Sequence, residues 1–285
     1  MTAPRIVYLN GQFLPYEEAR VPIMDRGFLF ADGIYEVSAI IDGKLVDNAA
    51  HLARLDRSLG EIGIRNPHDA AGWERLQTEL VARNGVAEGL VYMQVTRGVA
   101  ERDFAFPKAG TEPTVVMFTQ AKTVLANPLA ETGARVITVE DLRWKRRDIN
   151  SVALLAQVLA KQQAAEAGVA EAWMIEDGAV TEGSSSTAFI ISRDRVLVTR
   201  PLSTALLPGI TRASVLRLAQ EADLRIEERL IPVDEVYAAQ EAFYTSASAF
   251  VMPVVEIDGR AIGEGRPGAL TRRLRELYIE AARQG

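Results

Sequence analysis

Apolar positions along the chain change period several times, and the changes mark out its elements. Near the start, IVYLNGQFLP and YEVSAIIDGKLV set apolar runs on both sides of Asn10-Gly11 and Asp42-Gly43. Asn-Gly and Asp-Gly pairs reach the positive φ angles of tight turns, so both stretches are predicted hairpins. Leu52, Leu55, Leu59 and Ile62 then recur at helical spacing, which predicts a helix over about 49–63. A second helix is expected at about 70–85, and two β-rich stretches, GLVYMQVTRG and PTVVMFTQA, complete the first 120 residues.

Residues 121–132, AKTVLANPLAET, lose this periodicity and contain a proline, as a linker would. The expected organisation is a smaller α/β domain over 1–120, a linker at 121–130 and a larger α/β domain over 131–285. The second domain opens on a strand, ARVITVE, followed by EDLRWKRRDIN and an Ala/Leu-rich helix over about 151–167 that Gly168 closes. Strands follow around EDGAVTEGSSST and at RVLVT, then a helix at about 211–223. Strands near 225–231, 241–246 and 253–257 precede a closing helix at about 269–283. Strand and helix signals mix without strict alternation, which predicts an α/β fold with mixed (α+β) sheets and not a doubly wound parallel one.

Composition narrows the function classes. The 285 residues are 48% apolar and 25% charged, ordinary for a soluble globular protein. The net charge of −6 argues against nucleic acid as a partner. The only dense basic run, RWKRRD, reads as a solvated strand edge. With no cysteine there is no disulfide, no thiolate metal site and no cysteine nucleophile. His51 and His68 fit no zinc spacing, and no G-x-S-x-G elbow occurs, so no metal is expected and hydrolase chemistry is disfavoured. The start, MTAPRIVYLNGQ, has no signal-peptide pattern, and no apolar run nears the roughly 20 residues of a membrane helix. A cytoplasmic protein with no membrane partner is the expectation.

Three stretches could carry chemistry. In LLPGITRASVLRLA, Pro208 and Gly209 break the chain before a helix whose first amides could bind a phosphate; the alternative is an ordinary helix capped by Thr211. In DGAVTEGSSSTAFII, Glu182 stands among small residues, either as a surface turn acid or as a carboxylate set against a heterocycle. In HLARLDRSLGEIG, Arg54 either pairs with a helical neighbour or binds a phosphate through charge-assisted hydrogen bonds.

Taken together and in order, these and other blocks resemble the class IV aminotransferases, the fold-type-IV pyridoxal-phosphate enzymes, and among them the D-amino-acid aminotransferases. The blocks are DRGFLFADGIYEV, HLARL, YMQVTRG, EDLRWKRRDINS, VLAKQQA, VTEGSSS, GITR and PVVEIDG, and they run almost end to end. The resemblance implies a two-domain homodimer with pyridoxal 5'-phosphate in the interdomain cleft and the RGVAERDFAFP loop reaching toward the partner's active site. Its substrates would be a D-amino acid and a 2-oxo acid. Arg54 then resembles the phosphate arginine, and Ile210, Thr211, Ser246 and Ala247 the rest of the phosphate cup, where the family has a threonine in place of Ala247. Glu182 resembles the carboxylate facing the pyridine nitrogen, and Leu207 the apolar side chain against the cofactor. Tyr35 and Arg102 match two of the family's three substrate-carboxylate residues; at the third, Phe104 replaces a histidine.

One position breaks the pattern. After Asp148-Ile149 the family has the lysine that joins the cofactor through a Schiff base; here stands Asn150. An amide nitrogen is not nucleophilic, so the expectation is non-covalent cofactor binding, if any, and a chain that is inactive or severely impaired. Asn150 also reads as the N-cap of the helix after it. Lys145, in a segment read as extended, should face away from it, and Lys161 lies roughly 16 Å along the following helix. Two readings fit: a transaminase whose lysine has been replaced, or a natural cofactor-binding pseudoenzyme. An aminodeoxychorismate-lyase-like enzyme and a branched-chain or R-amine transaminase share the implied fold and are the other enzyme alternatives.

Overall fold

The computed structural model describes residues 4–108, 110–222 and 224–284. They form two compact units: Met1–Thr123 with Ile149–Ala153, and Val124–Asp148 with Leu154–Gly285. Residue 150 is therefore carried by the first unit, although the segments flanking it belong to the second.

The first unit holds β1 (Ile6–Leu9), β2 (Gln12–Pro15), α1 (Arg26–Phe30), β3 (Gly33–Ile41), β4 (Lys44–Leu45), α2 (Asn48–Glu61), α3 (Ala70–Asn84), β5 (Gly89–Thr96) and β6 (Thr114–Ala121). Its strands make one antiparallel sheet in the order β2-β1-β6-β5-β3-β4. Both predicted hairpins are present, with Asn10 at φ 46° and Asp42 at φ 50°, each followed by a glycine also at positive φ. The stripe of Leu52, Leu55 and Leu59 on α2 is buried with Trp73 and Leu80 of α3 against Ile34, Met93, Val95 and Met117 of the sheet. Helical spacing presents these side chains on one face, and burying that face holds the helix on the strands.

The second unit holds α4 (Pro128–Thr132), β7 (Ala134–Glu140), α5 (Leu155–Glu166), β8 (Glu171–Glu176), β9 (Ala179–Gly183), β10 (Thr187–Ile191), β11 (Val196–Thr199) and α6 (Ile210–Glu221). It continues with β12 (Arg225–Glu228), β13 (Ile231–Pro232), α7 (Val233–Ala238), β14 (Glu241–Ser246), β15 (Phe250–Ile257), β16 (Arg260–Ala261) and α8 (Ala269–Gln284). Ten strands form a mixed sheet in the order β12-β11-β10-β14-β15-β7-β8-β9-β13, with β16 on β15. The pairs β15/β7, β7/β8 and β11/β12 are parallel and the others antiparallel, so the expected mixed α/β fold is the observed one. No helix among the described residues is long and apolar enough to cross a membrane.

Local expectations fail where distant chain takes over. The helix predicted from 151 starts at Leu155, capped by Leu154 without a side-chain hydrogen bond, so Asn150 is not its N-cap. Instead Ser151 bridges to Ile34, Tyr35 N donates to the carbonyl of Asn150, and Val152 N donates to Gly33 O. The segment is thus stitched antiparallel along β3, and extended pairing uses the backbone groups a first helical turn would need. Thr211 is likewise not a cap: Gly209 holds that position and Thr211 is buried in the first turn of α6. The linker stretch carries a short helix, α4, started by Asn127, whose side chain accepts from Leu129 N.

The basic run is the clearest departure. RWKRRD is not a strand; residues 141–150 are irregular with a turn, so the alternation argument for Lys145 does not apply. Nor is the run uniformly solvated. The Arg143 and Arg147 side chains are buried, and both reach carboxylates.

Candidate active site

The sequence candidates divide between the two units. In the first unit, Tyr35 lies on β3, half-buried and stacked on Tyr92 at 5.7 Å between ring centroids. Asn150 beside it is 4% exposed, and its side-chain nitrogen donates to the carbonyl oxygen of Tyr35. Asn150 N lies 3.4 Å from Ser58 Oγ on α2. Asn150 is thereby fixed to a strand and a helix of the same unit.

One turn before Ser58 on α2, Arg54 makes a bidentate ion pair with Glu36 of β3: Nε to Oε1 at 2.7 Å and Nη2 to Oε2 at 2.8 Å. His51 Nδ1 lies 2.7 Å from the same Glu36 Oε2. Burial alone would raise the Glu36 carboxyl, but the charge and hydrogen bonds of Arg54, with His51, outweigh it and hold the pKa below the ordinary value. Separately, Ser38 Oγ donates to Asn48 Oδ1 and Asn48 Nδ2 to Gln77 Oε1. Arg54 is thus aimed by Glu36, on a neighbouring strand.

Arg102 and Phe104 sit in the exposed loop after β5. The Arg102 guanidinium lies 5.3 Å from the Phe30 ring and 5.5 Å from the Phe104 ring, and Phe30 packs on Phe104 at 5.5 Å. Phe104 itself is 80% exposed, so it is not plain core packing within this chain.

In the second unit, Glu182 at the end of β9 is 4% exposed. Its described hydrogen bonds both fall on Oε1, one from Arg143 Nη1 and one from Leu207 N at 3.1 Å. Arg143 is fixed in turn by Asp141, Nε to Oδ1 at 2.9 Å and Nη2 to Oδ2 at 2.7 Å, and Asp141 accepts from Thr181 Oγ1 at 2.6 Å. Arg147 spans Asp141 and Glu176. Burial pushes the Glu182 carboxyl above its ordinary value, while Arg143 and the Leu207 N–H pull in the opposite direction without cancelling it.

The loop carrying Leu207 leads into α6. Its N-cap, Gly209, supplies no side chain to the first-turn amides of Ile210 and Thr211. A Cβ at Gly209 would come within 2.8 Å of Thr187 Oγ1, so the close approach there requires glycine. Ser246, at the end of β14, accepts from Ala249 N at 3.1 Å, with Ala247 in the same turn.

Glu36, Asp141 and Arg143 are not among the residues that the sequence pattern singles out. Glu36 was detectable as an acid at a buried position of the apolar strand YEVSAII, and Asp141 as an acid two residues before an arginine. Their partners on other elements were not detectable. The dependence of Glu182 on Arg143 is open to test. Arg143→Met should raise the Glu182 titration point of the ligand-free protein further, followed by NMR with carboxyl-labelled glutamate. An unchanged titration would show that Arg143 does not set the charge of Glu182.

All five lysines of the chain, Lys44, Lys108, Lys122, Lys145 and Lys161, are exposed. Lys161 Nζ donates to Ala170 O and lies 3.5 Å from Glu171. No lysine is buried with Asn150.

Comparison with known proteins places these features in context. The amino-transferase class IV family matches residues 33–257. The D-alanine aminotransferase of Staphylococcus aureus (strain MSSA476) is 39% identical over 278 residues, which is 96% of this chain and 98% of that one. That of Bacillus licheniformis is 42% identical over 268 residues, 93% of each. Among solved structures, a branched-chain amino acid aminotransferase of Escherichia coli superposes with a TM-score of 0.91 over 98% of this chain and 95% of its own; at 21% identity this bears on the fold alone. The branched-chain aminotransferase of the thermophilic archaeon Thermoproteus uzoniensis, solved with norvaline, gives 0.85 at 28% identity, covering 98% of this chain and 94% of its own.

Proposed function

This chain belongs to the class IV aminotransferases, and from that premise we propose that it is a D-amino-acid transaminase whose covalent lysine position is occupied by Asn150. The observation that carries the substrate class is the identity of 39–42% over more than nine-tenths of the chain with enzymes named D-alanine aminotransferases. The donor would be a D-amino acid and the acceptor a 2-oxo acid such as 2-oxoglutarate.

The residues present fit pyridoxal 5'-phosphate in two respects. Glu182 is a buried carboxylate hydrogen-bonded through one oxygen only, which suits a protonated ring nitrogen. The uncapped first turn of α6 suits a phosphate, since its amides and the helix dipole both favour an anion. When bound, the cofactor would supply a carbonyl that exchanges nitrogen and a ring that withdraws electrons from the substrate Cα.

The rest falls to the chain. In the second unit, the amides of Ile210 and Thr211 and the Ser246 hydroxyl would hold the phosphate, where Ala247 has no hydroxyl to add; the resemblance makes Arg54 a further phosphate residue. Glu182 would favour the protonated ring nitrogen, and Arg143 would favour the charged form of Glu182 against its burial. The Leu207 side chain would pack on the ring while its N–H orients Glu182. Tyr35 and Arg102 would bind the substrate carboxylate, with Phe104 making the third position apolar. The Ile23, Phe28, Phe104 and Phe106 side chains are exposed in the first unit and support a homodimer in which a second copy covers them.

Asn150 would hold the place of the lysine without its chemistry: it neither bonds the cofactor nor moves the proton between substrate and ring. The chain as it stands would then bind its cofactor non-covalently and transfer amino groups poorly. A donor panel on Asn150→Lys tests the reading. Transfer from D-alanine or D-glutamate to 2-oxoglutarate is expected. A preference for branched-chain L-amino acids or R-amines would move the chain to those transaminases. Pyruvate release from aminodeoxychorismate without an acceptor would mark a lyase, and an inert variant a pseudoenzyme.

A further inference from the structure

The asparagine at residue 150 is oriented, and its orientation has chemical content. A backbone carbonyl only accepts hydrogen bonds, so the contact with Tyr35 O fixes Nδ2 toward β3. The backbone of Asn150 is engaged as well, its N–H at Ser58 Oγ and its carbonyl accepting from Tyr35 N. The remaining polar atom is Oδ1, which must face away from the Tyr35 carbonyl. No hydrogen bond to Oδ1 is described, and the atom is not among the buried polar atoms left without a partner. Oδ1 is therefore unengaged and not fully closed off, on a side chain that is only 4% exposed overall. Rotating the side chain to expose Nδ2 instead would set Oδ1 against the Tyr35 carbonyl, two acceptors face to face.

We propose that Asn150 makes this protein a receptor for the amine form of the cofactor, pyridoxamine 5'-phosphate, in preference to the aldehyde form. The inference rests on the proposed placement of the cofactor's reactive carbon near residue 150. An aminomethyl group is an ammonium at neutral pH and donates to Oδ1 in a charge-assisted hydrogen bond. An aldehyde oxygen only accepts, so it meets Oδ1 acceptor to acceptor. In an enzyme with lysine at this position the aldehyde form gains a covalent bond and wins. Here that gain is absent, and the order of affinity inverts.

Titration calorimetry on the purified full chain with three probes tests this: pyridoxamine 5'-phosphate, pyridoxal 5'-phosphate, and 4'-deoxypyridoxine 5'-phosphate, which carries only a methyl group at that carbon. The amine form is expected to bind about tenfold or more tightly than the other two, the usual scale of one hydrogen bond to a charged group. Asn150→Leu should bring the amine form's advantage over the deoxy compound down to about one, with a circular dichroism spectrum matching that of the parent chain to show that the variant is folded. If the aldehyde form binds as tightly as the amine form, or if Asn150→Leu keeps the preference, the inference is overturned and the cofactor site stands. If none of the three binds, the cofactor assignment itself fails and takes the inference with it.

Discussion

Replacing Asn150 with lysine is expected to raise amino transfer from D-alanine to 2-oxoglutarate by about a hundredfold to ten-thousandfold, from restored proton transfer alone. The lysine would add nucleophilic attack on the cofactor carbonyl, so the gain in the nitrogen-exchange step comes on top. The backbone at residue 150 is fixed by its pairing with β3, through Tyr35 N and the Ile34–Ser151 bridge, and neither contact uses the side chain. The substitution should therefore leave the segment in place and cost only the amide contact to Tyr35 O. Initial rates for the two chains at saturating cofactor read the effect directly. Equal rates would show that residue 150 is not where the chemistry happens.

The second large effect is on stability. Glu36→Gln removes the carboxylate that Arg54 and His51 share while leaving the arginine where it is. The Arg54 side chain is 10% exposed and that of Glu36 1%, so the bidentate pair would be lost in a largely dry place. Breaking one partner out of a buried ion pair costs about 3–5 kcal/mol, far more than loss of an exposed pair. The pH dependence follows from the direction of the Glu36 shift. Its carboxyl is more acidic in the folded chain than the ordinary value of 4.5, so its contribution is present above that value. It is lost as pH falls through the lowered folded-state pKa. Urea denaturation should thus separate wild type from Glu36→Gln at neutral pH and bring them together in strong acid. A constant difference across that range would assign the loss to packing instead of charge.

What the sequence made legible was local or repeated. The leucines of α2 declare their buried face through spacing alone, and Asn10-Gly11 and Asp42-Gly43 declare turns through the positive φ they tolerate. The order of the matching blocks was enough to identify the family, because many weak motifs in sequence rarely coincide by chance. What stayed hidden depends on partners far along the chain. Asn150 reads as a helix cap until Tyr35, 115 residues earlier, takes its amide. Arg143 reads as surface until Glu182, 39 residues later, and Asp141 bury it. A charge run carries no mark of which members will find carboxylates, so RWKRRD could not be sorted into its exposed Lys145 and its buried Arg143 and Arg147 by pattern.

Borohydride reduction with peptide mapping tests most directly whether residue 150 is the position from which the covalent lysine is missing. Wild type and Asn150→Lys would each be incubated with pyridoxal 5'-phosphate, reduced, digested and read by mass spectrometry. Stoichiometric cofactor on the peptide spanning residue 150 of the variant, and none on any lysine peptide of the wild type, is the predicted result. Stoichiometric labelling of Lys145 or Lys161 in the wild type, or an unlabelled residue 150 in the variant, would contradict it.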